Sequence, residues 1–185
     1  MVGCVKTGQR DETYADEIAS GRIAKDAYFR TAADSPLRPG SKVRALSYFP
    51  VDERYRIVVP RLRRPAADDR PIALDTSDGQ QRIVRRLGTL DFELHSRRLT
   101  LTGFGMGSTP PGSLFLPFAD VTSGRETYAG GRYLDLEIAH DGSVVLDFNL
   151  AYHPYCAYSS AYSCPLTPAE NHLCVPILAG ERMPP

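Results

Sequence analysis

Apolar and polar residues alternate along most of the chain, and a helical spacing is found near its N-terminus. Between residues 11 and 30, apolar side chains such as Tyr14, Ile18 and Ile23 recur at roughly the spacing of one helix face. Acidic residues come early in this segment and basic residues late, as the helix dipole favours. Because the residue before a proline avoids helical dihedrals, we expect the helix to end before Ser35-Pro36.

After the helix, the pattern changes to the period-two alternation of short strands. From residue 90 to 94, apolar side chains occupy every second position with acidic ones between them, as in a strand with one buried and one solvated face. An Asp78-Gly79 pair between two such segments is a strong hairpin signal. The segments with this character are 43–49, 55–59, 71–75, 81–87, 90–94, 99–101, 114–118 and the two arms of 132–149.

These segments predict a mainly β fold for a single domain over residues 11–185, preceded by a disordered tail over residues 1–10. About nine or ten short strands after one helix indicate an antiparallel β-sandwich or open barrel, with the N-terminal α-helix packed outside. Gly and Pro are numerous, with 15 of each, which agrees with many short elements joined by turns.

The segment 132–149 has the most informative pattern, because its register follows from the sequence. Apolar residues at positions 134, 136 and 138 and at 144, 146 and 148 alternate with polar ones, and His140-Asp141-Gly142 connects the two arms. A three-residue loop, with Gly142 in the left-handed conformation, sets the apolar positions opposite one another. The same register predicts that Asp135 lies directly opposite Asp147 on the outer face, where like charges repel.

This predicted carboxylate pair has two interpretations, which the spacing alone does not separate. Asp135 and Asp147 could be exposed and screened by water or by a neighbouring arginine. They could instead form a site with a perturbed carboxylate pair, used for general acid–base chemistry or for a hard cation such as calcium.

Residues 150–171 have no regular periodicity and are rich in tyrosine and cysteine. Long irregular segments of compact domains are usually disordered or functional, and the four tyrosines argue against disorder. Three interpretations of the cysteines stay open: packed thiols, a disulfide between Cys156 and Cys164, or a tetrahedral zinc site. The zinc ligands would be His153, Cys156, Cys164, His172 and Cys174.

Charge and hydropathy exclude two classes of partner. The chain of 185 residues has 22 basic and 22 acidic side chains, so it lacks the excess of positive charge that nucleic acids or anionic membrane surfaces attract. No stretch approaches the roughly 18 consecutive apolar residues of a transmembrane helix. We therefore expect neither nucleic acid nor a membrane span, and an unidentified small molecule as the main partner.

The first four residues, Met1-Val2-Gly3-Cys4, have the form of the end of a bacterial lipoprotein signal, in which a small residue precedes the lipidated cysteine. The apolar stretch that should precede such a site is missing. Two interpretations stay open: the chain is a cytoplasmic protein with an ordinary tail, or its start codon is mis-called and Cys4 anchors a cell-envelope lipoprotein.

Several motifs together resemble the uncharacterised bacterial and archaeal domain-of-unknown-function family 1684. The most specific ones lie between residues 127 and 181; they are the segments 127–136 and 146–149, Cys156-Ala157-Tyr158, Cys164-Pro165, Glu170-Asn171 and Ala179-Gly180-Glu181. The resemblance implies no established reaction. His153 and Cys174 depart from the family pattern, so the resemblance does not extend to a His/Cys metal site.

The resemblance and the register argument together favour a polar ligand pocket between the 132–149 hairpin and the 152–171 segment. Its predicted residues are Arg132, Tyr133, Asp135, Asp147, Asn149, Tyr152, Glu170 and Asn171. Whether the chain is an enzyme stays open. The alternatives are a hydrolase that uses Asp135 and Asp147, and a structural or envelope accessory protein.

Overall fold

One α-helix and nine strands form most of the regular structure in the computed structural model, which describes residues 13–37, 45–64, 70–107 and 109–184. Four single turns of 3₁₀ helix accompany them. In chain order, the elements are α1 (Tyr14–Thr31), β1 (Ser47–Tyr48), β2 (Arg56–Val59), β3 (Ile72–Asp75), β4 (Gln81–Leu94), β5 (Arg97–Gly105), β6 (Ser113–Phe118), β7 (Arg132–Glu137), β8 (Val144–Asp147) and β9 (Glu181–Arg182). Cys4 and the predicted tail lie outside the described residues.

Five strands form a central antiparallel sheet in the order β3-β4-β5-β6-β7, while β2 pairs with β8 and β1 with β9. A tight turn joins β4 to β5, and its residues His95 and Ser96 both have positive φ, which matches the twist of the flanking strands. The predicted mainly β fold with one N-terminal helix is therefore confirmed. Within the described residues the strands do not close into a barrel, and their arrangement is that of a sandwich.

Different parts of the chain cover the two faces of the central sheet. On one face, alternate side chains of β4 to β7 pack in the main core against Val144, Leu146 and Ile177, the last of which belongs to the C-terminal segment. On the other face, Phe115 and Tyr133 belong to a second cluster, which includes side chains of the segment 152–164. The irregular segment after the hairpin is thus an ordered second layer.

Helix α1 lies outside the sandwich, has a capped N-terminus and contacts the rest of the protein through few side chains. Thr13 caps it, accepting from the Asp16 N–H while the Asp16 carboxylate accepts from the Thr13 N–H. Its apolar contacts are few, since only Ile18 and Phe29 are buried, and Arg22 donates to the Phe49 carbonyl at 2.9 Å. No helix in the described part of the chain combines the length and the apolar character needed to cross a membrane.

The turn of the predicted hairpin at 132–149 is confirmed. Gly142 has a φ of +84°, the left-handed conformation that the three-residue loop requires. Ile138 pairs with Val144 in an antiparallel bridge, as the register argument predicts.

Beyond that first pair the two arms diverge. Strand β7 continues along β6, so that Asp135 pairs with Phe115, and β8 joins β2, so that Asp147 pairs with Arg56. The prediction that Asp135 lies directly opposite Asp147 is therefore wrong. The alternation correctly identifies the buried face of each arm, but β7 and β8 belong to different layers of the sandwich, and the chain turns a corner between them.

Gly180 allows the C-terminal segment to pass close to the main chain of residues 148–151. It has a φ of +77°, and a Cβ atom there would lie 2.6 Å from the Phe148 carbonyl oxygen and 2.7 Å from that of Ala151. Gly21, in the middle of α1, has no such neighbour within 4 Å.

We predict opposite effects of alanine at these two glycines. Gly180→Ala should lower the free energy of unfolding by roughly 1–3 kcal/mol, because it combines backbone strain with a steric clash. Gly21→Ala should raise it by roughly 0.5–1 kcal/mol, since alanine favours an exposed helix interior. Urea unfolding with an unchanged m value measures both, and a Gly180→Ala midpoint equal to that of the wild type would contradict the close approach.

Candidate functional site

Arg132, predicted to bind ligand, is a buried cross-link between β7 and the C-terminal segment. Its guanidinium donates to the Asp120 carboxylate at 2.8 Å and both side chains are almost fully buried. It also donates to the carbonyl oxygens of Ile177 at 2.8 Å, of Glu181 at 3.1 Å, and of Ala179. Arg132 therefore attaches three alternate residues of the C-terminal segment to the sheet.

The two predicted asparagines are also bonded to the main chain. Asn149 accepts from the Asp52 N–H at 3.0 Å and donates to the Asp52 carbonyl at 2.8 Å. Asn171 exchanges the same two bonds with Thr102, both at 2.8 Å, and donates to the Pro117 carbonyl. Each side-chain amide thus pairs with both main-chain polar groups of one residue, as a peptide group would, and both asparagines are buried.

Each of the two predicted catalytic carboxylates has its own tyrosine partner. Asp147 accepts from the Tyr14 hydroxyl at 2.8 Å, and the Nε atom of Arg56 lies 3.7 Å from it. Asp135 accepts from the Tyr152 hydroxyl at 2.6 Å. Both aspartates line one groove beside the start of α1, but they do not pair across a ladder.

The structure does not bring the five predicted zinc ligands together. Cys156 and Cys164 are free thiols in contact, with the Cys156 N–H donating to the Cys164 sulfur at 3.4 Å. His153 is buried, and its Nε2 atom accepts from the Tyr128 N–H at 3.2 Å. The two remaining residues, both exposed, are His172 and Cys174. Within the described residues, no group of three or more His, Cys, Asp or Glu side chains could hold a metal ion, zinc or calcium.

Glu170 lies at the surface, where its carboxylate accepts from the Arg86 guanidinium at 2.8 and 3.1 Å. Both side chains of this pair are more than one-third exposed, and Glu170 does not line the aromatic cavity described next. An exposed ion pair of this kind contributes little to stability.

A cavity of about 480 Å³ opens between the central sheet and the segment 152–165. Five aromatic side chains form its walls, two from the sheet and three from the covering segment: Phe115, Tyr133, Tyr152, Tyr155 and Tyr162. Its charged residues are Lys25, Arg82 and Asp135. Three of the predicted ligand residues, Tyr133, Asp135 and Tyr152, therefore line one cavity.

The hydroxyl groups of two tyrosines in the cavity walls are occupied by contacts within the protein. The Tyr133 hydroxyl donates to the Pro165 carbonyl, and the Tyr152 hydroxyl donates to Asp135. Burial raises the pKa of both tyrosines above the ordinary range, so their hydroxyl groups are uncharged at neutral pH. The ring faces are what these walls can offer to a ligand.

Behind the cavity, Glu181 is the centre of a buried network that the site prediction missed. Its carboxylate accepts from the His153 N–H at 2.7 Å and from the Tyr158 hydroxyl at 3.0 Å, and it forms an ion pair with Lys25 of α1. One signal was present in the sequence. Glu181 continues the buried alternation of residues 173, 175, 177 and 179, so an acidic side chain occupies an inward position.

His153 lies in this network as a neutral ring. Its Nε2 atom accepts from the Tyr128 N–H, so the proton is on Nδ1, which lies 3.7 Å from the Glu181 carboxylate. Burial lowers the pKa of His153 to about 3, and the charges of Arg132 and Lys25 act in the same direction. These effects outweigh the nearby carboxylate, which favours the protonated ring.

Comparison with known proteins identifies relatives with this architecture. The model of the family "Protein of unknown function (DUF1684)" matches residues 41–182. The solution NMR structure of an uncharacterised protein of Haloarcula marismortui is similar, with a TM-score of 0.69 and 36% sequence identity. That match covers 90% of this chain and 92% of the other. No curated protein matches the chain.

We predict that breaking the Arg132–Asp120 pair strongly destabilises the protein. Asp120→Asn should lower the free energy of unfolding by roughly 3–5 kcal/mol, because it leaves a buried guanidinium without its counter-charge. The control is Arg63→Gln, which removes the exposed Arg63–Asp91 pair and should cost at most about 1 kcal/mol. Equal urea midpoints for the two variants would show that the buried pair is not a major stabilising contact.

We also predict acid destabilisation through His153. Its folded-state pKa of about 3 lies below the unfolded value of about 6.5, so the unfolded chain binds the proton first as pH falls. The resulting loss of stability begins near pH 6.5 and amounts to about 2 kcal/mol between pH 7 and pH 5.

Urea unfolding across this pH range tests the assignment to His153. His153→Gln should reduce the pH dependence of the unfolding free energy by about 2 kcal/mol, whatever its effect at pH 7. His172→Gln, at an exposed position, should leave the pH dependence unchanged. A His153→Gln profile parallel to that of the wild type would contradict the prediction.

Proposed function

The chain belongs to the DUF1684 family, and from its geometry we propose that it binds a small molecule with a flat, apolar body in the aromatic cavity under the segment 152–165. The observation that carries this proposal is the set of five aromatic side chains around one cavity of about 480 Å³. Ligand sites are typically concave, mostly apolar and supplied with a few polar groups.

Contacts between the rings keep the walls in position without a ligand. Tyr133 packs edge-on against Phe115, with centroids 4.7 Å apart, and against Tyr152 at 5.8 Å. Tyr155 and Tyr162 make a similar contact at 5.1 Å. Such preorganisation reduces the entropy that is lost when a ligand binds.

The charged groups at the cavity favour a ligand with an anionic end. Lys25 is already paired with Glu181, and Asp135 accepts a short hydrogen bond from Tyr152. Arg82 is exposed, makes only a 3.4 Å bond to the Ser163 carbonyl, and forms no ion pair within the described part of the chain. A guanidinium of this kind suits a carboxylate or similar planar anion.

The hydrolase alternative lacks comparable support. It requires Asp135 and Asp147 to act as one acid–base pair, whereas each carboxylate accepts from a different tyrosine. We therefore assign Asp135 to the polar rim of the cavity, and propose no hydrolytic reaction for it.

Three probes with the same ring and different charge test this proposal: benzoate, benzyl alcohol and benzylammonium. Titrations of the ¹⁵N-labelled chain followed by NMR should shift the amide signals of residues 115 and 133 and of the non-proline residues of 152–165. We expect benzoate to bind most tightly and benzylammonium most weakly, because the Arg82 guanidinium has no ion pair within the described residues, whereas the Asp135 carboxylate already accepts from Tyr152. No localised shift with any of the probes would overturn the proposal.

Matched variants separate the roles of ring and charge. Arg82→Gln should weaken benzoate binding roughly five- to tenfold and leave benzyl alcohol binding unchanged. Tyr155→Leu should weaken the binding of all three probes, since it removes part of the wall. The control is Arg97→Gln, an exposed position outside the cavity, which should leave the affinities for all three probes unchanged.

A further inference from the structure

Two free thiols face each other beside the aromatic cavity. Cys156 lies in the 3₁₀ turn Tyr155–Ala157, and its N–H donates to the sulfur of Cys164 at 3.4 Å. Cys164 is buried and lines the cavity, while Cys156 is partly exposed. We propose that Cys156 and Cys164 form a redox-active dithiol, in which Cys156 attacks a low-molecular-weight disulfide and Cys164 resolves the mixed disulfide.

Cys164 is held in a fixed position relative to its partner. Its N–H donates to the Ser77 hydroxyl at 3.1 Å, and its carbonyl accepts from the Ser77 N–H at 2.9 Å. These bonds attach it to the turn between β3 and β4, so the sulfur remains next to Cys156. A resolving thiol must be positioned in this way to compete with a second external thiol.

The surroundings of Cys156 favour its thiolate. The thiol of Cys164 forms a hydrogen bond with it and, as the largest effect, lowers the pKa of Cys156 to about 6 despite partial burial. Ser77 and Tyr128 act in the same direction, and the Tyr128 hydroxyl lies 3.7 Å from the Cys156 sulfur. The same pairing raises the pKa of Cys164, so the partly exposed sulfur is the nucleophile and the buried one keeps its proton.

The reaction is a two-step thiol–disulfide exchange. The Cys156 thiolate attacks one sulfur of a disulfide RSSR, which forms a mixed disulfide and releases RS⁻. Cys164 then loses its proton to the released thiolate, giving RSH, and attacks the Cys156 sulfur. The Cys156–Cys164 disulfide forms and a second RS⁻ leaves, taking a proton from water. Two electrons pass from the dithiol to RSSR, and excess thiol reverses both steps.

The test uses the full chain with Cys4→Ser and Cys174→Ser, which leaves only the two cysteines of interest. After reduction, the protein is exposed at neutral pH to excess oxidised glutathione and examined by intact-mass and peptide mass spectrometry. We expect the loss of two hydrogen atoms, a cross-linked peptide pair containing Cys156 and Cys164, and no glutathione adduct. Excess reduced glutathione should restore both thiols.

Single substitutions in this background identify the attacking thiol. Cys164→Ser should accumulate one glutathione adduct at Cys156, because the resolving thiol is missing, whereas Cys156→Ser should remain unmodified under the same conditions. Alkylation of Cys156 by iodoacetamide in the unsubstituted pair should reach half of its maximal rate near pH 6. A ¹⁵N NMR spectrum like that of the parent protein confirms that each variant is folded.

Two results would overturn the proposal. Glutathione adducts at both cysteines without an internal disulfide would mean that the thiols are not a functional pair. An internal disulfide that excess reduced glutathione cannot open would be a permanent structural bond. Neither result depends on the cavity binding a ligand, so failure of the dithiol and failure of the proposed ligand site are distinguishable.

Discussion

The buried ion pair between Arg132 and Asp120 is the contact on which much of the structure depends. A guanidinium in the protein interior requires both a counter-charge and acceptors for its N–H groups. Asp120 supplies the charge, and the carbonyls of residues 177, 179 and 181 supply the acceptors. One side chain of β7 therefore holds the C-terminal segment extended along the main core.

The position of that segment determines how the cavity is assembled. Glu181 itself carries the last carbonyl bound by Arg132. Its side-chain carboxylate connects the segment around His153 and Tyr158 to Lys25 of α1. The Nζ atom of Lys25 in turn lies 4.9 Å from the ring centroid of Tyr152 in the cavity wall. The buried carboxylate of Glu181 thus connects the helix and the covering segment to the C-terminal segment next to the cavity.

In this protein, sequence patterns identify the buried face of a strand more reliably than the strand with which it pairs. The alternation around Leu134 and Leu146 correctly places these side chains in the core, and Gly142 adopts the predicted turn conformation. The same alternation is satisfied whether β7 pairs with β8 or with β6, so the position of Asp135 relative to Asp147 does not follow from it. Long-range competition between strands decides that choice.

Burial explains why the polar residues in the family-like motifs predicted only part of the ligand site. The side chains of Arg132, Asn149 and Asn171 form hydrogen bonds to the main chain. From sequence alone, polar residues with this structural role look the same as polar residues that bind a ligand. Tyr133 and Tyr152 line the cavity with their rings, while their hydroxyls are used internally. The aromatic content of the segment 152–162 was therefore a better guide to the cavity than its polar atoms.

The cavity has one rigid wall and one wall with little regular structure. Strands β6 and β7 are paired along their full length, whereas the segment 152–165 contains one 3₁₀ turn and isolated bridges. The ring of Tyr162 and the thiols of Cys156 and Cys164 belong to this second wall. A ligand that binds the dithiol and disulfide forms with different affinity must shift the redox equilibrium by the same factor, because linkage is reciprocal. In this protein, ligand binding and thiol chemistry would therefore both act on the short segment 152–165, while the paired strands of the sheet behind it would stay unchanged.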